Sequence, residues 1–119
     1  MVLSGKECPR QASVREVAEA TLACFKRVVP AAVPGIVFLS GGQSAQLATA
    51  HLNAMNKANP DLPWPLSFSY GRALQDPCLK TWAGKKENLK AAQAALLHRE
   101  KCNSLACTGA YSEDLEQAA

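Results

Sequence analysis

The residues best suited to chemistry are Ser40-Gly41-Gly42 and, further along the chain, Ser69-Tyr70-Gly71-Arg72. Two adjacent glycines admit positive φ and let backbone amides approach a ligand with no Cβ in the way. The apolar run Ile36–Leu39 precedes the first turn. Ser44 follows it as an N-cap, with Leu47, Ala48, His51, Leu52 and Met55 at helical spacing. Strand, turn and helix start together aim free N–H groups at one point, which suits an anion and typically a phosphate. On these residues alone, a tight strand-to-helix turn with no ligand stands equally open. The second turn adds Arg72, whose planar fork matches phosphate oxygens.

Other chemistries find less support. Ser67, Ser69 and Tyr70 carry hydroxyls, but no histidine–carboxylate pair accompanies them, so no catalytic residue is assigned. A zinc ion could borrow His98, Cys102 and Cys107, yet their offsets repeat no familiar ligand pattern, and no metal site is assigned. The five cysteines are odd in number and none forms a C-x-x-C pair, so free reduced thiols are expected. His51, in line with Leu47 and Met55, reads as a packed helix residue and His98 as a solvated one. Trp64 and Trp82 are expected beneath loops, and Lys85-Lys86 at a solvated helix start.

The elements that must position the two turns fit one modest domain of 119 residues. A net charge of +3, with scattered lysines and arginines, gives no footprint for nucleic acid. No apolar run nears the roughly 18 residues of a membrane span, and Met1–Arg10 lacks the apolar core of a signal peptide. A cytoplasmic protein with no nucleic-acid and no membrane partner is expected. Residues 1–12 read as a lead-in, 13–109 as helix, strand, helix, strand, helix, and 110–119 as a frayed tail.

Ser13 and Glu16 form a capping box that opens the first helix, with Val14, Val17, Leu22, Phe25 and Val29 in period, and Pro30 ends it. The opening strand, Ile36–Leu39, reads as buried on both faces. The second helix runs from about Ala45 to Ala58 and stops at Asn59-Pro60. A second strand spans Leu66–Tyr70, followed by a short helical piece around Ala73–Trp82 and a breaker at Gly84. The last helix spans about Lys86–Ala106, with Gly109 as its cap. Alternating strands and helices imply a parallel α/β arrangement, with both turns at one sheet edge, the edge where such folds bind ligands. Two short strands also leave unpaired edges, which favours association with another chain or copy.

At LSGGQS, LNAMNKANP, PWPLSFSYGRALQ and GKKENLKAAQ the chain resembles the C-terminal third of a class I fructose-bisphosphate aldolase, from about Met1 to Tyr111. The resemblance implies a TIM (β/α)8 barrel of which this chain holds the seventh and eighth strands, with three main helices. It implies that Ser40, Gly41, Gly42, Ser69, Gly71 and Arg72 hold phosphates of a phosphorylated sugar or triose. It also implies an oligomeric family, no cofactor, and lyase chemistry through a Schiff-base lysine. In the family that lysine sits in a Leu-Leu-Lys-Pro-Asn segment running into Met-Val, so here it falls before Met1, as do the acid–base carboxylates. The tail ending in tyrosine that assists proton transfer in family members has no counterpart at Ser112–Ala119. The expectation is an aldolase piece that binds phosphate and is inert alone. The alternative is a non-catalytic module that binds phosphorylated ligands or docks onto another protein.

Overall fold

The computed structural model describes residues 1–117 and holds four α-helices and one two-stranded parallel sheet. Helix α1 spans Val14–Val28. Its capping box is formed: Ser13 Oγ accepts from Glu16 N–H at 3.3 Å, and the Glu16 carboxylate accepts from Ser13 N–H at 2.8 Å. The Ser13 backbone N–H and then Arg10 pull the Glu16 carboxyl down to about 2. Val29 leaves the helix in an extended conformation, as a residue before proline must. Val17, Ala18 and Leu22 are buried, and Phe25 stacks on Phe38 of the sheet at 5.7 Å.

Strands β1 (Ile36–Phe38) and β2 (Leu66–Phe68) pair in parallel, with Ile36 opposite Leu66 and Phe38 opposite Phe68. Phe38 faces the helices and is buried. Val37 and Leu39, on the other face, are 63% and 72% exposed. That corrects the expectation of a strand buried on both faces, for a reason of layering. Helices cover one side of this sheet, and within the described residues nothing covers the other.

Helix α2 (Ala45–Ala58) starts at Ser44, whose hydroxyl accepts from Leu47 N–H at 3.2 Å. It lies at the centre of the core, with Ala48, Leu52 and Met55 fully buried between α1, the sheet and the last helix. The expected short helical piece is a full helix, α3 (Arg72–Trp82), which accommodates Pro77 in its interior. The described residues therefore hold four α-helices where three main ones were expected. Helix α3 ends in left-handed Ala83, and Trp82, expected beneath a loop, is 43% exposed. Trp64 does pack inward, donating Nε1–H to Pro30 O at 2.8 Å.

The expected long helix begins as a 3-10 turn, Lys86–Asn88, and continues as α4 (Leu89–Ala106). Gly109 closes it at φ +71, with Ala110 N–H donating to Leu105 O at 2.9 Å and Gly109 N–H to Ala106 O at 3.3 Å. That is a Schellman cap. Asn56 of α2 ties the layers together, with its amide nitrogen 3.2, 3.4 and 3.0 Å from the carbonyls of Leu52, Leu66 and Ala106. Where fraying was expected, Tyr111 is buried and Glu113–Gln117 form a 3-10 turn; residues 118 and 119 lie outside the described part.

Candidate functional site: the shared edge of two strands

The chain leaves β1 through Leu39 and turns at once. Gln43 N–H donates to Ser40 O at 3.1 Å, and Gly41 and Gly42 between them lie at φ +59 and +80. Two positive φ angles in succession define a type I′ turn, which glycine enters without the penalty a side chain brings.

The turn is braced from the core. Gln43 Nε2 donates a second bond to Ser40 O at 2.6 Å, and Gln43 Oε1 lies 2.5 Å from His51 Nδ1. An amide oxygen only accepts, so Nδ1 carries the proton. His51 is 1% exposed, and its Nε2 has no partner among the described residues. Burial lowers its pKa, which favours the neutral ring. Neither the Gln43–His51 pair nor its effect on the turn was legible in the sequence. A histidine eight residues from a glutamine carries no pattern until a turn folds one toward the other.

The second strand arrives at the same edge. Ser69 N–H donates to Phe38 O at 2.8 Å, continuing the ladder one residue past β2. Tyr70 turns inward and donates its hydroxyl to Ala48 O at 2.8 Å, and burial raises its pKa. Gly71 precedes α3 and offers no side-chain cap, so the first N–H groups of that helix are left without one. Because the strands are parallel, the Ser40–Gly42 turn and the Gly71–Arg72 helix start leave the sheet at one end. Gly41, Gly42, Ser69, Gly71 and Arg72 are exposed, and Ser40 is buried.

A cation from the lead-in joins them. A β-carbon built on Gly42 would lie 3.6 Å from Lys6 Nζ and Cε, and one on Gly41 would lie 3.6 Å from Leu3. Sequence spacing gave no hint of this, since Lys6 is remote from the turn along the chain. The glycine turn with Lys6 beside it, and the helix start that carries Arg72, therefore leave the sheet at the same end. Each of these favours an anion, and their dipoles and charges act in the same sense.

Across residues 1–119 the chain matches the family described as glycolytic fructose-bisphosphate aldolase class-I. The chain belongs to the class I fructose-bisphosphate aldolase family. It is 57% identical over 118 residues to the chloroplastic fructose-bisphosphate aldolase of Oryza sativa subsp. japonica, a match covering 99% of this chain and 30% of that protein. Against fructose-bisphosphate aldolase B of Gallus gallus it is 55% identical, covering 93% of this chain and 30% of the relative. Among solved structures, Plasmodium falciparum fructose-bisphosphate aldolase, crystallised with TRAP and a small-molecule inhibitor, superposes with a TM-score of 0.90 at 49% identity. That match covers 94% of this chain and 32% of the other. The chain thus spans about 30% of the length of these aldolases and corresponds to their C-terminal part.

Proposed function

We propose that this chain supplies the phosphate-binding edge of a Schiff-base fructose-bisphosphate aldolase. That lyase of glycolysis cleaves fructose 1,6-bisphosphate to dihydroxyacetone phosphate and glyceraldehyde 3-phosphate. In this reading β1 and β2 are the seventh and eighth strands of an eight-stranded barrel, whose loops after those strands commonly hold phosphate. Ser40, Gly41, Gly42, Ser69, Gly71 and Arg72 hold the phosphate of the sugar or triose, and Lys6 adds charge beside Gly42. The observation that supports it is the parallel register, which sends both glycine turns out of the same sheet edge.

The bond-breaking step needs a neutral lysine amine to attack the substrate ketone and form an imine that draws electrons from the cleaved C–C bond. No lysine follows β1 or β2 directly. The reading therefore assigns that amine, and the acid–base carboxylates, to the portion of the family protein that this chain does not cover. Phosphate binding alone does not lower the barrier to chemistry. A cytoplasmic, oligomeric enzyme whose chemistry uses no metal or cofactor completes the proposal.

The test uses the 119-residue chain with dihydroxyacetone phosphate. The amides of Gly41, Gly42 and Arg72 should shift saturably on titration, and Arg72→Ala should weaken the effect about tenfold, as loss of a charge-assisted bond does. No borohydride-trapped adduct and no aldol cleavage should appear. Mixing in the missing N-terminal part of an aldolase should restore cleavage. Absence of any saturable shift at these amides would refute the phosphate reading. A second reading, a non-catalytic docking module, is favoured by the exposed Val37 and Leu39 beside the open strands. It predicts binding of a protein partner that added phosphate leaves unchanged.

A further inference from the structure

Three donors of the kinds that ligate transition metals meet between α4 and the C-terminal 3-10 turn. His98 and Cys102 lie four residues apart on α4, so they share a face. Glu116 comes from the turn that folds back over that face. The three ligand atoms lie within 4.8 Å of one another. His98 Nε2 is 3.6 Å from Cys102 Sγ and 3.6 Å from Glu116 Oε2.

Those spacings can be compared with what one ion would need. Bonds of about 2.3 Å to sulfur and about 2.0–2.1 Å to nitrogen, at a tetrahedral angle, put the nitrogen and sulfur about 3.5 Å apart. The same geometry puts nitrogen and a carboxylate oxygen about 3.4 Å apart. Both pairs are therefore within a few tenths of an ångström of a ligated arrangement, with the site empty. The third pair, Cys102 Sγ and the Glu116 carboxylate, lies within 4.8 Å, and a side-chain movement of about 1 Å brings it to the roughly 3.6 Å that one ion needs.

The surroundings orient the carboxylate as a ligand's surroundings do. Arg99 Nη1 donates to Glu116 Oε2 at 2.7 Å, Arg99 Nη2 donates to Oε1 at 2.8 Å, and the Tyr111 hydroxyl donates to Oε1 at 2.8 Å. Oε1 thus has two donors and Oε2 has one, which leaves Oε2, the oxygen nearest His98, a lone pair for a cation. Charge also permits one. An ionised Cys102 and Glu116 outweigh Arg99 by one negative charge, and Lys101 on the neighbouring helix face is exposed to solvent. Burial raises the thiol pKa of Cys102, so an arriving cation must displace its proton to solvent. Access exists: His98 and Glu116 line a surface cavity of about 670 Å³, together with Gln46 and Pro77.

We propose that His98, Cys102 and Glu116 form a zinc-type cation site that clips the C-terminal turn onto α4, with water completing the coordination. The mixed nitrogen, sulfur and oxygen set selects a borderline-soft ion such as Zn²⁺ over Mg²⁺ or Ca²⁺, which take oxygen ligands. Its role is structural.

Cobalt(II) is the probe, because a thiolate ligand adds a near-ultraviolet charge-transfer band and a tetrahedral field gives intense visible bands. The full chain is used with Cys8, Cys24, Cys78 and Cys107 replaced by serine, so that Cys102 is its one thiol. We expect saturation at one cobalt per chain, displacement by Zn²⁺, and indifference to Mg²⁺. Cys102→Ser should abolish the near-ultraviolet band, and His98→Ala should weaken binding at least about tenfold, the scale on which site substitutions act. A band that survives Cys102→Ser, or no saturable band at all, overturns the proposal. If removing four thiols unfolds the chain, the same comparison is made in the wild-type background. There Cys102→Ser must remove one cobalt equivalent of charge-transfer intensity, and persistence of the full intensity overturns the proposal equally.

Discussion

Removing the Glu116 carboxylate should cost this fold more than any other single change at its C-terminal turn. The Arg99 side chain is 3% exposed and that of Glu116 18%, so the two ends of the pair differ in their access to water. Arg99 also donates from Nη2 to Thr49 Oγ1 at 2.8 Å, and Thr49 donates to Asn103 Oδ1 at 2.6 Å, which carries the network into the core. Breaking a buried pair from one side leaves an uncompensated charge and costs about 3–5 kcal/mol. The partial exposure of Glu116 lets water reach the orphaned guanidinium, which places Glu116→Ala near the low end, about 3 kcal/mol. For a chain of this size roughly 4 °C is lost per kcal/mol, so the melting temperature should fall by about 12 °C. Arg99→Met leaves its charge deficit at the wetter end and should cost less, about 2 kcal/mol. The double variant should cost less than the sum of the two, because each charge is harmful only without the other. Thermal melts followed by circular dichroism, with a chelator present to exclude metal, give all three values. A loss under about 1 kcal/mol for Glu116→Ala would show a pair that behaves as a surface pair and would refute the reasoning.

Three further outcomes follow from the phosphate edge. Gly41→Val forces a β-branched residue to φ +59 and should destabilise the chain by about 1–2 kcal/mol while disordering the turn. An unchanged melt and unchanged phosphate shifts would contradict it. Lys6→Ala should weaken phosphate binding severalfold at low salt and little at high salt, since an exposed ammonium acts through a screened field; titrations at two ionic strengths check this. His51 has a lowered folded pKa, so its contribution to stability is complete above the unfolded value of 6.5 and is lost as pH falls below it. His51→Asn should therefore flatten the decline in melting temperature between about pH 7.5 and 5.5, above the range where Glu116 titrates. An equally steep decline in the variant would show that His51 is not its source.

What was legible in the sequence was local. The Ser13–Glu16 capping box, the Ser44 cap, the stop at Pro30, the Gly109 cap and the glycine pair after β1 each depend on residues a few positions apart. Each formed where its pattern put it. The strands came out shorter than the apolar runs because a ladder extends only as far as its partner does. Helix α3 formed over the stretch from about Ala73 to Trp82 that the sequence marked, starting one residue earlier, and it tolerates Pro77 because neighbouring packing outweighs one lost hydrogen bond. Exposure of Val37 and Leu39 could not be read from composition, since an apolar strand looks the same whether or not a second layer covers it. Lys6 beside Gly42, Gln43 against His51, and Arg99 against Glu116 are pairings between elements, and no periodicity announces them.

Asn56 has a consequence in time. Its amide nitrogen reaches the carbonyl of Ala106, fifty residues later in the chain, as well as that of Leu66. During synthesis at roughly 5–20 residues per second, Ala106 is added about 2.5–10 s after Asn56. From the addition of Phe68 to the end of that interval, α2 and β2 exist without the helix that completes their shared node, and the apolar side of α2 is open. The waiting period is set by where one side chain finds its acceptors, and it is when a chaperone or a neighbouring chain can most readily intervene.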